Sequence, residues 1–149
     1  MADKTFRCRV VTPTEQLLNE DALYASVPAH DGLLGVQFNR GPLITELGLG
    51  ELRVDFPDTG KAHGGSRHFF IDGGFARVAE NELIIIADKA IPAERLGATE
   101  AEQALEAALS KSVPQNAENP AELADEIRHE QDAARLKVRL AKHAREHGI

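Results

Sequence analysis

The sequence predicts two unequal parts, an antiparallel β-sandwich over residues 1–90 and an α-helical hairpin over residues 91–149. Up to residue 90, apolar and polar residues alternate with a period of two in short segments, which is typical of half-buried strands. Glycine, proline and asparagine separate these segments at short intervals, as in sandwiches and barrels. Beyond residue 90 the period becomes that of amphipathic helices, and helix-start signals appear.

The predicted strands follow this alternation along the chain. In residues 5–11, Phe6, Cys8 and Val10 lie on one side and arginines on the other, so Cys8 is predicted to be a core residue. Further strands are predicted at residues 23–27, 51–56, 66–72 and 83–88. The turns that separate the strands are predicted at HDG (30–32), PDTG (57–60), GG (73–74) and EN (80–81).

A first helix is predicted to begin near residue 99. The residues from Thr99 to Glu102 have the form of a capping box, in which the two side chains satisfy free backbone N–H groups at the helix start. The helix is expected to end near Lys111. Its apolar stripe is narrow and rich in alanine: Ala101, Leu105, Ala108 and Leu109. The second predicted helix likewise has mostly small apolar residues and gains only marginal stability from packing, so we expect a pair of these helices to detach easily.

The second predicted helix is graded in charge. Asn119 followed by Pro120 marks its start, and it is expected to run to about Glu146. Carboxylates dominate its first half, and five basic residues follow: Arg135, Lys137, Arg139, Lys142 and Arg145. This order stabilises a helix through its macrodipole, but it also leaves a basic end that can meet an acidic partner. Both interpretations are open at this point.

Composition excludes several classes of function. A net charge of -7 argues against the basic footprint of a nucleic-acid-binding protein. The single cysteine cannot form an internal disulfide, so we expect a reducing cytosol. Charges interrupt the N-terminus where a signal peptide needs an apolar run. The longest apolar segment, LIIIA, is far shorter than the roughly 20 residues of a membrane-spanning helix, so no direct membrane insertion is expected.

Candidate catalytic chemistry is sparse. The histidines of the strand region, His30, His63 and His68, lack the close spacing of HExxH or CxxC ligand pairs. His143 and His147 are spaced i, i+4 and could ligate an ion, but two cations near a helix C-terminus have a simpler electrostatic explanation, so no metal site is predicted. No serine lies in a GxSxG elbow, and the carboxylates of Glu80 and Glu82 flank a turn without an apolar pocket to raise a pKa. We predict no catalytic residue and no cofactor.

Two stretches carry a family resemblance, VPAHDGLLGVQFNRGPLITELGLGELRV and IDGGFARVAENELIIIADKAI. They resemble the epsilon subunit of F-type ATP synthases, the central-stalk subunit called delta in mitochondria, and the likeness runs from about Phe6 to Leu96. The matching positions are Gly32, Gly35, Pro42, Leu43, Thr45, Gly50, Leu52, Gly73, Gly74 and the LIIIAD strand. The resemblance implies a β-sandwich of about ten strands followed by a helical hairpin.

The resemblance also implies a function without catalysis. Such a rotor subunit binds the gamma subunit and the ring of c subunits at the cytoplasmic face of the bacterial inner membrane, so that rotation reaches the catalytic head. Residues 32–42 are then expected to form a loop that docks on the c ring. The contact residues predicted by position are Asp31, Leu33, Arg40 and Pro42. The five basic residues of the second helix are candidates for contacting the alpha and beta subunits and inhibiting ATP hydrolysis.

The chain departs from the family pattern at two places. Its FNRGPL segment has Arg40 where many members have histidine, so a positive charge is retained at any pH. Its LGATEA segment has Gly97 and Glu100 where ATP-binding members have aspartate and arginine. A glutamate in place of a phosphate-pairing cation repels ATP, so weak or absent ATP binding is expected at this site. The alternative is a stand-alone ligand-binding or enzymatic β-sandwich, because a fold does not determine a function.

Overall fold

The computed structural model describes residues 4–58 and 64–147, with only the backbone described for residues 145–147. The chain divides into two compact units, Met1–Pro92 and Ala93–Ile149. The first unit contains seven strands: β1 (Phe6–Val11), β2 (Gln16–Ala22), β3 (Tyr24–Ala29), β4 (Gly32–Gln37), β5 (Leu43–Phe56), β6 (Gly65–Ala79) and β7 (Glu82–Pro92). The second contains a 3-10 turn (Ala93–Arg95) and the helices α1 (Ala98–Leu109) and α2 (Pro120–His147).

The strands form one sheet in the order β2-β1-β7-β6-β5-β3-β4. Neighbouring strands are antiparallel except for β1 and β7, which are parallel. Strand β2 also contacts β5, although three strands separate them in the sheet, so the sheet folds back on itself. A β-sandwich results, as predicted, because folding the sheet buries one apolar face against itself.

The register of β6 is interrupted at Gly73, where the pairing with both β5 and β7 omits one residue, and an irregularity of this kind bends a strand. Gly73 and Gly74 have φ angles of +79° and +118°, which residues with a side chain rarely adopt. A Cβ atom at Gly74 would lie 2.2 Å from the carbonyl oxygen of Ile86, so no other residue fits. The prediction of a turn between two strands at 73–74 was wrong, because β6 continues through the bend. Long continuous strands of this kind explain why the unit has seven strands instead of about ten.

The core of the first unit confirms the predicted inward positions of β1. Cys8 is fully buried, with Phe6 and Val10 on the same side of the strand. Burial raises the pKa of the Cys8 thiol from 9.0 to about 12, because the thiolate is poorly solvated there. The predicted strand segments at 51–56, 66–72 and 83–88 lie within β5, β6 and β7. The segment predicted at 23–27 begins one residue before β3. The predicted turn at residues 57–60 extends outside the described residues.

The prediction missed β2 and β4. Only Leu18 and Ala22 are buried in β2, and only Val36 is buried in β4. Neither strand therefore shows the regular alternation by which a strand is recognised in a sequence. Both are held by pairing with a neighbour, β2 along β1 and β4 along β3. The HDG and EN turns were predicted correctly, since each connects two antiparallel strands.

The start of α1 differs from the prediction. Gly97 is the N-cap residue, and its carbonyl oxygen accepts the N–H of Ala101 at 2.9 Å, with no side-chain cap hydrogen bond. The capping box was therefore wrong, because Thr99 lies inside the first turn and cannot cap the helix. Ala101 and Ala108 are buried as expected, whereas Leu109 is half exposed and lies outside the buried stripe.

The start of α2 confirms the prediction. The helix begins at Pro120, and the carbonyl oxygen of Asn119 accepts the N–H of Leu123 at 3.1 Å. The helix packs against α1, where the side-chain amide of Gln131 donates to the carbonyl oxygen of Ala108 at 3.1 Å. Its buried residues are mostly small: Ala134, Leu136, Leu140, Ala141 and Ala144.

Candidate docking sites

The predicted docking segment consists of a strand and a short loop. Residues 32–37 form β4 and pair with β3 from Ala29 to Tyr24, so only residues 38–42 form a loop. The expectation of a loop over residues 32–42 was therefore wrong for its first six residues, because backbone pairing extends them. We call residues 38–42 the docking loop.

Three of the four predicted contact residues lie around one cavity. Asp31 is in the turn between β3 and β4, and Leu33 follows on β4 with 76% of its surface exposed. Both line a cavity of about 350 Å³ together with Arg40 of the docking loop. Pro42 is exposed and is not among the residues that line this cavity. The site combines an exposed apolar side chain with a carboxylate and a guanidinium.

Arg40 also borders a second cavity of about 470 Å³, which is lined by Tyr24, Gly35, Gln37 and Phe38. Gly35 leaves room for the Tyr24 ring, because a Cβ atom at position 35 would lie 2.8 Å from the Tyr24 hydroxyl oxygen and the ring would have to shift. The sequence reasoning missed Tyr24 and Phe38 because their place beside Arg40 depends on the pairing of β3 with β4. Arg40 therefore borders both cavities.

A second exposed surface lies on β5, β6 and β7, on the face opposite the core. Phe75 and Ile86 are directly paired across β6 and β7, and they are 56% and 51% exposed. Ile44 on β5 is 69% exposed. Ile84 lies two residues before Ile86 on β7 and therefore faces the same side of the sheet. We call these four residues the outer-face patch. Outward positions of a solvated sheet are normally polar, so this patch is a candidate interaction surface.

Two arginines flank the outer-face patch. Ile84 pairs with Arg9 of β1 on one side and with Arg77 of β6 on the other. The Nε atom of Arg9 is buried and has no hydrogen-bond partner among the described residues, which is a costly state for a donor. The sequence signal was present in the LIIIAD run, whose outward positions 84 and 86 are apolar. The run predicts a strand and a family resemblance, but its apolar outward positions were not recognised as a candidate interaction surface.

The basic residues of α2 are engaged within the chain. Arg135 forms an ion pair with Asp132 at 3.0 Å, and Lys142 forms one with Glu102 of α1 at 3.4 Å. Lys137 and Arg139 also have interaction partners, whereas the side chain of Arg145 lies outside the described residues. For Arg135 and Lys142 this geometry favours a role in holding the hairpin.

The departure from the ATP-binding pattern lies at the start of α1. Gly97 is the N-cap, and Glu100 is exposed in the first helical turn. The carboxyl carbon of Glu100 lies 3.4 Å from the place that a Gly97 Cβ atom would occupy, so the carboxylate lies close to the N-cap residue. A carboxylate interacts favourably with this end of the helix dipole and repels a phosphate from it.

The described residues form neither a metal-ligand cluster nor a membrane-spanning helix. In residues 4–58 and 64–147, no group of three His, Cys, Asp or Glu side chains could hold a metal ion. The described helices are too short or too polar to cross a membrane. His68 is buried and its Nδ1 atom contacts a Glu51 carboxylate oxygen, so this pair joins the neighbouring strands β6 and β5.

Comparisons with known proteins agree on one family. Residues 5–93 match the family model described as ATP synthase, Delta/Epsilon chain, beta-sandwich domain. The ATP synthase epsilon chain of Rhodopirellula baltica is 37% identical over 116 residues, covering 76% of this chain and 86% of the relative. The sodium-ion-specific ATP synthase epsilon chain of Propionigenium modestum is 28% identical over 143 residues, covering 96% and 98%.

A solved structure supports the same fold. A chain in the cryo-EM structure of the Euglena gracilis mitochondrial ATP synthase superposes with a TM-score of 0.70 at 21% identity. The superposition covers 87% of this chain and 79% of the Euglena chain, so it includes more than the matched sandwich domain. Together with the match over residues 5–93, these findings show that the chain belongs to the family of ATP synthase delta and epsilon chains.

Proposed function

We propose that this chain is a non-catalytic rotor subunit of the ATP synthase central stalk, where it transmits ion-driven rotation of the c ring towards the catalytic head. Family membership and the outer-face patch carry the proposal, because an exposed apolar surface on a rigid sheet needs a partner. The sandwich offers a second surface around the docking loop. One rigid domain with two docking surfaces can transmit torque between two partners.

The outer-face patch is the proposed binding surface for the gamma subunit. Its exposed Phe75, Ile86 and Ile44 provide the apolar centre that a stable interface requires. Arg9 and Arg77 lie within or beside this centre and fit carboxylates on the partner. A carboxylate or carbonyl oxygen from gamma would also compensate for the unpaired Nε of Arg9.

The docking loop and the turn at Asp31 are the proposed contact with the c ring. Leu33 supplies an exposed apolar anchor, and Asp31 and Arg40 supply charges of both signs around one cavity. The subunit thereby sits peripherally at the cytoplasmic face of the bacterial inner membrane. Arg40 keeps its charge at any pH, so its ion pairs do not depend on protonation as those of a histidine would.

The helical hairpin is the proposed regulatory element. It inhibits ATP hydrolysis when α2 leaves α1 and its basic residues reach the alpha and beta subunits. Support comes from the weakness of the hairpin, whose buried side chains are mostly alanine and whose ion pairs are half exposed. Exposed ion pairs contribute little stability, so the helices can separate at modest cost.

Two reciprocal variants test the rotor assignment. Phe75→Asp places a charge in the outer-face patch and is expected to abolish binding to the gamma subunit of the same organism while retaining binding to the c ring. Leu33→Asp is expected to show the reverse. Pull-down of the full-length variants with purified gamma and with detergent-solubilised c ring measures both. A folded wild-type chain that binds neither partner would support the stand-alone alternative.

A further inference from the structure

The turn between β6 and β7 contains two residues in the left-handed region. Glu80 has a φ angle of +52° and Asn81 one of +60°, which is the backbone of a tight two-residue hairpin turn. Asparagine tolerates this conformation better than most residues with a side chain. The turn alone therefore accounts for an asparagine or a glycine at position 81, but not for the contacts that its side chain makes.

Asn81 connects three segments that are distant in the sequence. Its Oδ1 atom accepts the N–H of Asn39, 42 positions away in the docking loop, at 2.7 Å. Its Nδ2 atom donates to the carbonyl oxygen of Thr5, 76 positions away, at 2.9 Å. Its own carbonyl oxygen accepts the N–H of Arg7 at 3.1 Å. Both ends of the side-chain amide are thus in use.

The hydrogen bond to Asn39 fixes the docking loop at its centre. Asn39 is itself in the left-handed region, with a φ angle of +59°, so the direction of the chain changes there. The N–H of the next residue, Arg40, donates a hydrogen bond to the carbonyl oxygen of Gln37, the last residue of β4, at 3.3 Å. The Lys4 ammonium group lies 5.9 Å from the centre of the Phe38 ring and adds a weaker contact to the same loop.

We propose that Asn81 is a positioning residue, which holds Arg40 of the docking loop in the orientation that binds the c ring. The inference rests on the proposed function, because it takes the c ring as the partner of this loop. A loop that is already ordered loses less conformational entropy on binding than a mobile one. The amide is suited to this role because it accepts from the loop and donates to the N-terminal segment at the same time.

The test compares two substitutions in one turn. Asn81→Gly keeps the left-handed backbone and removes the bridging amide, whereas Glu80→Gly makes the same change at the neighbouring position without touching the bridge. In the full-length protein, Asn81→Gly is expected to accelerate hydrogen exchange of the Asn39 amide by about tenfold, and Glu80→Gly to leave it unchanged. An unchanged exchange rate in Asn81→Gly would overturn the proposal.

Affinity for the detergent-solubilised c ring is the second readout. Asn81→Gly is expected to weaken it by about three- to tenfold while leaving affinity for gamma and the melting temperature close to those of wild type. Unchanged c-ring affinity, or an equal loss of gamma binding, would overturn the positioning role. Arg40→Ala identifies the cause: if it too binds the c ring normally, then the assignment of this loop to the c ring has failed.

Discussion

Lys142 of α2 and Glu102 of α1 form an ion pair, with 3.4 Å between Nζ and Oε1. Both side chains are about half exposed, so water and salt screen the interaction. A second pair, between Lys111 and Glu130 at 2.8 Å, joins the helices near the other end of α1. Lys142 was a candidate for contacting the catalytic head, and it can do so only after this pair breaks.

Removing both carboxylates is expected to increase inhibition. The double variant Glu102→Gln, Glu130→Gln frees Lys142 and Lys111 and shifts the hairpin towards separated helices by about threefold. ATP hydrolysis by the assembled synthase should fall accordingly, and Glu106→Gln, which changes the charge of α1 without breaking either pair, is the control. A chain that ends at Ala98 should give the highest activity. Equal hydrolysis by all four forms would contradict an inhibitory hairpin.

The bend in β6 predicts a strong effect of a single methyl group. Gly74→Ala would place a Cβ atom 2.2 Å from the Ile86 carbonyl oxygen at a φ angle of +118°. We expect the free energy of unfolding to fall by about 3 kcal/mol or more. Urea denaturation measures the change. Gly65→Ala in the same strand meets no atom within 4 Å and should leave stability within about 0.5 kcal/mol.

The raised pKa of Cys8 predicts a loss of stability at alkaline pH. The unfolded thiol ionises at about 9.0 and the buried thiol at about 12, so the contribution is complete below pH 9 and is lost as the pH rises from 9 to 12. Between pH 8 and 10 the free energy of unfolding should fall by about 1.4 kcal/mol more in wild type than in Cys8→Ala. Denaturation curves of both proteins at the two pH values measure these free energies. An equal fall in the free energy of unfolding for wild type and Cys8→Ala would refute the prediction.

The carboxylate at the start of α1 predicts that the full-length chain does not bind ATP. Titration calorimetry with ATP should give no micromolar binding, because Glu100 lies where a phosphate would meet the helix N-terminus. Glu100→Gln removes the repulsion without adding a cation. Binding by this variant alone would identify repulsion as the cause, whereas micromolar binding by wild type would show that the prediction is wrong.

Local patterns in the sequence determined the elements whose hydrogen bonding and burial are local. The alternation around Cys8 predicted β1, and Asn119 with Pro120 predicted the start of α2. The EN turn was predicted from residue type alone. The family was also evident from the glycine-rich stretches, because those glycines occupy positions that exclude a side chain, as at Gly74.

Only the tertiary structure decided the features that depend on which distant segments pair. Strand β4 has little alternation of apolar and polar residues, and it is held by its pairing with β3. Strand β6 bends at Gly73 and Gly74, where it lies against β7 with positive φ angles. The outer-face patch appears when Phe75 and Ile86 pair across β6 and β7 and Ile44 of β5, which pairs with Arg77, lies diagonally from Phe75. The contact of Asn81 with Asn39 likewise requires the loop before β5 and the turn after β6 to lie at the same end of these two paired strands. Periodicity reports which way a side chain points along one strand, whereas these contacts follow from strand order and register.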